Sequence, residues 1–440
     1  MGLGKSLQTI CFIKSILKEK KDAKILIVSP TSLIYNWEKE FDKFASNLNY
    51  MVIAENKNKR MEILQNLESN IIITTYGLLR RDKEFYEKLE FEVMIIDEAQ
   101  NIKNPKAGIT TSSKEIKANC KIALTGTPVE NSVIELWSIF DFIMPGFFTN
   151  LMKFQSKYNV KDFSDEKMDI LSKLNLQISP FILRRKKVDV AKDLPEKIEN
   201  NIYFDMYPEQ KKIYLAQLKK TKEEMDEIIS TEGFLKARFK ILQLLTKLRQ
   251  ICIDPSIIFS DYKGGSVKID ELINLVKKII SNNHKILLFT SFKTALNIVK
   301  EKFDKNGITT YTIDGSVSSK KRMELVEKFN SDNTNVFLIM LKAGGTGLNL
   351  TSADVVIHLD LWWNPQVENQ ATDRAHRIGQ TKNVEVIKLI CNGTIEERII
   401  ELQNKKKLLS DSLIEGNNRD KNNIEKLSEK DIKNLLNYEE

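Results

Sequence analysis

Met1-Gly2-Leu3-Gly4-Lys5-Ser6 opens the chain, and Gly-Lys-Ser is the back half of a phosphate-binding loop. Glycines let backbone N–H groups turn toward an anion, Lys5 supplies a positive charge, and the Ser6 hydroxyl is a ligand for Mg²⁺. Residues Leu7–Leu17 follow with the apolar spacing of an amphipathic helix, whose N-terminal dipole favours the same anion. A lone Gly-x-Gly-Lys-Ser is also what any glycine turn before a lysine looks like. Its weight therefore depends on what stands downstream.

Four short apolar runs follow: Lys24–Ser29 (KILIVS), Ile71–Tyr76 (IIITTY), Val93–Asp97 (VMIID) and Lys121–Thr125 (KIALT). Helical stretches such as Leu33–Phe44 and Lys59–Leu67 separate them. Strands alternating with helices predict right-handed βαβ units and a parallel sheet covered on both faces. Ligands of such sheets gather at the carboxyl ends of strands, where Asp97, Glu98 and Thr125 stand. After Pro128 the period turns helical, from about Asn131 to Ile253, with a charged face at Lys211–Ile229 and a basic run, Arg184-Arg185-Lys186-Lys187. Asp254–Val267, with Gly264-Gly265, reads as a linker.

Alternation then resumes. Lys285–Thr290, Thr309–Ile313, Val336–Met340 and Val355–Leu359 read as strands, Thr294–Phe303 and Lys320–Asn330 as helices, and Glu385–Cys391 fits a further strand. Glu396–Glu415 is a charged helix before a polar tail. The fold class is α/β with two parallel-sheet lobes. The first lobe takes residues 1–130 and a helical insertion at 131–253. A linker at 254–267 leads to the second lobe at 268–395, and residues 396–440 form the C-terminal helix and tail.

The 440 residues are 42% hydrophobic and 29% charged, an ordinary soluble balance with room for two domains. A net charge of +8 permits a polyanionic partner without demanding one. Cys11, Cys120, Cys252 and Cys391 are widely spaced, which argues against a zinc site or a disulfide framework and for a reducing cytosol. Only three histidines occur, His284, His358 and His376, which argues against histidine-based metal chemistry. No apolar run reaches membrane-spanning length.

Asp97-Glu98-Ala99-Gln100 directly follows an apolar run. An aspartate at a strand end can hold Mg²⁺, and a neighbouring glutamate can orient or deprotonate water. The plain alternative is a helix cap. Gly-Lys-Ser upstream and Leu124-Thr125-Gly126-Thr127-Pro128 downstream shift the balance toward chemistry. In the second lobe, Ala343-Gly344-Gly345-Thr346-Gly347 lets backbone approach a ligand, or is simply a tight turn. Gln370-Ala371-Thr372-Asp373-Arg374-Ala375-His376-Arg377-Ile378-Gly379-Gln380 follows. On a helix, Arg374 and Arg377 would share a face, fit for an arginine-finger role or for a surface salt bridge.

These segments together resemble the Swi/Snf-like ATPases, double-stranded-DNA translocases of helicase superfamily two, and bacterial members in particular. The carriers are MGLGKS, SPTSLIYNWEKEF from Ser29, TTYGLLRRD from Thr74, DEAQNIKNP from Asp97, LTGTPVEN from Leu124 and LRRKKVDVAKDLPEK from Leu183. LKAGGTGLNLTSADVVIHLDLWWNP from Leu341, DRAHRIGQ from Asp373 and TIEERIIELQNKKK from Thr394 continue the match. DEAQ with DRAHRIGQ separates the chain from RNA helicases of the DEAD type. Met340 stands where relatives often have serine, and Thr290-Ser291 replaces a common Ser-Gln pair.

The resemblance implies two RecA-like lobes and the cofactors ATP and Mg²⁺. Gly2, Gly4 and Lys5 would grip the phosphates, Ser6 and Asp97 would hold Mg²⁺, Glu98 would activate water, and Gln100 would sense the nucleotide. From the second lobe it implies Gly345 and Gln370 as ATP contacts, and Arg374 and Arg377 as fingers. Thr31, Ser32, Thr75, Thr290 and Trp363 fall in segments that line the DNA groove in such proteins, although each hydroxyl also suits a local cap. Trp37 and Trp362 read as core. The implied partners are double-stranded DNA and a DNA-bound protein such as RNA polymerase or a nucleoid protein, with no membrane. The implied setting is cytoplasmic and nucleoid-associated in a bacterium. In relatives Met1 corresponds to a methionine inside the loop. Lobe one is therefore expected to lack its strand before the phosphate loop, with a gap beside the strand ending at Asp97. Two other classes remain open: a strand-separating DNA or RNA helicase, and a remnant that binds DNA or protein without turnover.

Overall fold

Ile25-Leu26-Ile27-Val28-Ser29 is buried at every position, as a strand covered on both faces must be. The computed structural model describes all residues except 1, 127–132, 159–164, 186, 192, 345–347, 415–434 and 437–440. Contacts divide the chain into two units, essentially Gly2–Lys186 and Lys187–Glu415.

In the first unit five parallel strands form one sheet: β1 (Ile25–Ser29), β2 (Tyr50–Ile53), β3 (Ile71–Thr75), β4 (Phe91–Asp97) and β5 (Ala118–Leu124), in the order β2-β3-β1-β4-β5. Register pairs Ile27 with Ile73 and with Ile95, so alternate side chains of neighbouring strands stack on the same face. One face buries Leu26, Val28, Ile72, Met94 and Ile96 against helices that include Tyr76–Arg81 and Gly108–Glu115. The other buries Ile25, Ile27, Ile71, Ile73 and Ile95 against Lys5–Glu19 and Ile34–Ala45, through Ile10, Ile13, Trp37 and Phe41. At about 25 cal/mol per Å² of apolar surface, each fully buried Ile or Leu contributes roughly 1.5–3 kcal/mol.

The expected gap beside the strand ending at Asp97 is not there. β4 pairs with β1 on one side and with β5 on the other, Ile95 lying opposite both Ile27 and Ile122. The open edges among the described strands are the outer edges of β2 and β5, and on β5 Asn119 and Cys120 are exposed.

The second unit holds six parallel strands: β6 (Lys197–Phe204), β7 (Ile286–Thr290), β8 (Thr310–Ile313), β9 (Val336–Met340), β10 (Val355–His358) and β11 (Val384–Cys391), in the order β6-β11-β10-β7-β9-β8. Each face carries its own apolar cluster, one around Ile286, Leu288 and Ile357, the other around Leu287, Phe289 and Val356.

Residues 187–253, expected as part of a first-lobe insertion, pack with this unit instead. β6 pairs along its whole length with β11, Lys197 opposite Val384 and Phe204 opposite Cys391. The helices Pro208–Glu232 and Phe234–Ile253 bury Tyr214, Ile241, Leu245 and Leu248 against Leu361, Ile390, Ile395 and Ile399. The physical reason is that these faces are apolar and their complement belongs to the second sheet. The stretch Asp254–Val267 therefore lies inside one unit. It is held there where the Ser266 hydroxyl donates to Ile253 O and Val267 N donates to Gln210 Oε1 at 3.4 Å.

One buried ion pair ties this unit together. Lys268 and Glu396 are 0% and 1% exposed, with Lys268 Nζ 2.6 Å from the carboxylate. Nζ also donates to the carbonyls of Leu359 and Leu389, and the carboxylate accepts from Cys391 N. The helices Val267–Ser281 and Ile395–Ile414 are thus fastened to the ends of β10 and β11.

Candidate functional site

Lys5 is the first residue of a 15-residue helix whose N-cap is Gly4 at φ 73°. Gly2 is also left-handed, at φ 76°. Both conformations disfavour any side chain, and no atom crowds the Gly4 position, so the dihedral is what calls for glycine there. The helix has no side-chain cap and no acidic residue in its first turn. Its leading N–H groups and dipole are left for an anion, with Lys5 and Ser6 beside them. The start is braced from within: Gln8 Nε2 donates to Leu3 O at 3.1 Å, and Thr9 Oγ1 to Lys5 O at 2.8 Å.

Asp97 ends β4 and is 8% exposed. Its carboxylate accepts from Trp37 Nε1 at 3.0 Å and from Glu98 N at 2.9 Å, and its carbonyl accepts from Tyr76 O–H at 2.7 Å. Burial pushes its pKa up to about 6, helped by the charge of Glu98; Lys5, the Trp37 indole and the Glu98 N–H pull the other way. A carboxylate so desolvated gains most from a cation placed against it.

Glu98 is left-handed, φ 51° and ψ 59°, which is uncommon for a residue with a side chain. The turn that follows it holds the conformation: Asn101 Nδ2 donates to Glu98 O at 2.8 Å. Gln100 Nε2 donates to Glu98 Oε2 at 2.7 Å, and Thr125 Oγ1 donates to Gln100 Oε1 at 3.0 Å. Three of the sequence motifs thus meet at the carboxyl end of one sheet. Residues 127–132, which carry the rest of LTGTPVEN, lie outside the described residues.

The sheet is parallel, so the ends of β1 and β3 lie along the same edge, Ser29 opposite Thr75. Thr31 is exposed and Ser32 half-buried just beyond β1. Thr75 is 4% exposed, and its hydroxyl caps the helix Tyr76–Arg81 by accepting from Leu78 N. For Thr75 the local-cap alternative is what the structure shows.

In the second unit the helix carrying Gln370 is Pro365–Thr372, and Asp373 is its C-cap. Arg374 and Arg377 therefore do not share a helix face; they lie in the turns that follow. Arg374 N bonds Ala371 O, Ala375 N bonds Thr372 O, and Gly379 turns the chain at φ 102°. The Gln380 amide pins the end of this turn by donating to Ala353 O at 2.8 Å and Thr351 O at 3.2 Å. Lys187 Nζ donates to Asp373 Oδ1 at 2.6 Å and to His376 O at 2.7 Å. Arg374 is 6% exposed and donates through Nε to Gln370 O; Arg377 is half-buried. Gly345 lies outside the described residues.

Thr290, 1% exposed, donates to Asp360 Oδ1 at 2.7 Å, so its hydroxyl too is used internally. Trp363 is half-buried. Sequence reading took Trp37 only as core and did not single out Tyr76, Arg249 or Asp360, all of which hold site residues in place.

Two family models match the chain: the SNF2-related domain over residues 1–257 and the helicase conserved C-terminal domain over residues 267–379. They meet within Asp254–Val267, whereas the contacts divide at Lys186. Among curated proteins, an "uncharacterized ATP-dependent helicase" of Mycoplasma pneumoniae is 40% identical over 442 residues, covering 99% of this chain and 41% of that protein. The ISWI chromatin-remodeling complex ATPase ISW1 of Saccharomyces cerevisiae is 32% identical over 435 residues, 95% of this chain and 38% of that protein. The chain thus spans about two fifths of the length of these relatives. A solved Sulfolobus solfataricus SWI2/SNF2 ATPase core in complex with dsDNA is 38% identical and covers 94% of this chain and 87% of its own, with a TM-score of 0.44. The first family model takes in 257 of the 440 residues, including the whole of the Lys5–Asp97–Glu98 arrangement, and the chain belongs to the SNF2-related domain family.

Proposed function

We propose that the chain is the motor of an ATP-driven translocase on double-stranded DNA, hydrolysing ATP to ADP and phosphate. The observation that carries this is the hydrogen-bonded series Thr125–Gln100–Glu98 beside Asp97, in the same unit as a glycine-led, uncapped helix start. Gly2, Gly4 and Lys5 hold the phosphates. Glu98 takes a proton from the attacking water as the terminal phosphoanhydride P–O bond breaks, and Gln100 orients Glu98. Gly345, Gln370, Arg374 and Arg377 serve the same nucleotide from the second unit.

The residues fit Mg²⁺. Asp97 is a desolvated carboxylate whose oxygens accept from Trp37 Nε1 and Glu98 N, and Ser6 offers a hydroxyl. This ion usually takes one or two protein ligands, with phosphate and water completing its shell. When bound it neutralises phosphate charge.

On the DNA side, Thr31, Ser32 and Trp363 offer accessible surface, while Thr75 and Thr290 act by holding their loops. Such contacts position a duplex by its backbone without reading sequence. The setting that goes with this reading is the bacterial cytoplasm and nucleoid, and the work done is the displacement or remodelling of a DNA-bound protein. No helix among the described residues is long and apolar enough to cross a membrane.

ATP hydrolysis is expected to be stimulated by blunt duplex DNA without strand release. Duplex affinity should fall linearly on a log–log plot against salt, with a slope of about −0.9 per phosphate contacted. ATPase and strand-release assays on blunt, tailed and single-stranded substrates check this. Equal stimulation by single-stranded RNA at matched salt overturns it, and strand release moves the reading to a helicase.

A further inference from the structure

Arg249 is 2% exposed, yet it is a full cation near the carboxyl end of the second sheet. Its guanidinium carbon lies 5.1 Å from the Phe292 ring centre and 5.3 Å from those of both Trp362 and Trp363. Nη2 donates to Asp360 Oδ2 at 2.8 Å and to Leu361 O at 2.6 Å. The other oxygen of Asp360 holds Thr290 Oγ1 and Ser291 N. One side chain on the helix Phe234–Ile253 therefore joins the loop after β7 to the loop after β10.

The second loop is held from its far side as well. Trp362 N donates to Glu368 Oε1 at 2.7 Å, and Gln403 Nε2 donates to Trp362 O at 2.6 Å. Neither Trp362 nor Trp363 is fully buried, and exposed Lys342 places Nζ 5.5 Å from the Trp362 ring centre. The cluster runs from a sealed guanidinium, through two tryptophans, to a cation in solvent.

Burying a charge for stability alone is a poor bargain, since an apolar replacement of similar volume is often neutral or better. A guanidinium does something an apolar plug does not. Here one nitrogen, Nη2, donates to both Asp360 and Leu361 O while the flat face lies against three rings, which fixes two loops in one mutual orientation.

We propose that Arg249 is a positioning residue that locks the Thr290–Phe292 and Leu361–Trp363 loops into one surface for the duplex phosphate backbone. This rests on the translocase reading above, in which Trp363 faces DNA.

The test uses the full chain carrying Arg249→Lys, with Arg249→Met alongside. Lysine keeps a charge for Asp360 but loses the flat stacking surface. Arg249→Lys is expected to raise the duplex concentration for half-maximal ATPase about tenfold, with turnover at saturating duplex changed less than about twofold. Acrylamide should quench its tryptophans more readily without any DNA, because Trp362 and Trp363 are ringed about Arg249. If Arg249→Met fails to fold, the lysine variant carries the test. A lysine variant that matches the parent in half-saturation and quenching overturns the proposal. So does one that loses melting temperature and turnover with half-saturation unchanged, since that marks a merely structural role. If the parent itself shows no response to duplex, the translocase reading fails and this one falls with it. A responding parent with an equally responding variant sinks Arg249 alone.

Discussion

Glu98→Gln is expected to lower ATP turnover by about 10²–10⁴-fold while leaving nucleotide affinity within a few-fold of the parent. The substitution keeps volume and the acceptor oxygen that Gln100 Nε2 now bonds, so the Thr125–Gln100 series survives it. Glutamine can hold the same left-handed backbone with no more strain than glutamate. What it cannot do is take a proton from water. The phosphate contacts through Lys5 and the helix start act already on bound ATP and are untouched, so the loss falls on kcat. Single-turnover hydrolysis with an analogue titration measures both. Near-normal turnover would remove Glu98 as the base.

The arginines come second, and the structure separates them. Arg377→Ala is expected to cut kcat by about 10³-fold or more, the scale of a lost arginine finger, with a smaller change in melting temperature than Arg374→Ala gives. Its side chain is half-buried, whereas that of Arg374 is sealed. Arg374→Ala should lower kcat and melting temperature together, because Arg374 is 6% exposed and bonds Gln370 O. Steady-state kinetics beside thermal melting distinguish the two. If both variants keep normal turnover, neither is a finger.

The central strands were legible because burial on both faces leaves an unbroken apolar run. Ile25–Ser29 and Ile71–Thr75 are such runs, buried throughout. Edge strands carry no such mark. Tyr50–Ile53 is only four residues, three of them part-exposed. Half of Lys197–Phe204 is polar and no position of it is buried, and its partner strand ends at Cys391. With β6 unseen, nothing in the local pattern could assign the following helices to the second unit. The site divides in the same way. Asp97 and Glu98 are adjacent to each other and to a strand, so a motif reveals them. Trp37 reaches Asp97 across 60 positions, and Arg249 reaches Asp360 across 111. Such pairs are joined by the fold, and short-range spacing does not show them. The two arginines were misplaced on a helix because it ends at Thr372 with Asp373 as its C-cap, and the Gln380 amide that shapes the turn donates to distant carbonyls.

The Lys268–Glu396 pair has a consequence for how the gene can drift. Losing either partner strands a charge in a site 0–1% exposed, at a cost of about 3–5 kcal/mol. Domains typically hold a margin of roughly 5–15 kcal/mol, so one such step uses a large share of it. Replacing both by apolar residues of matching size costs little. Positions 268 and 396, 128 residues apart, therefore form a single heritable character. Point-by-point wandering at either is closed, and the pair changes together or stays.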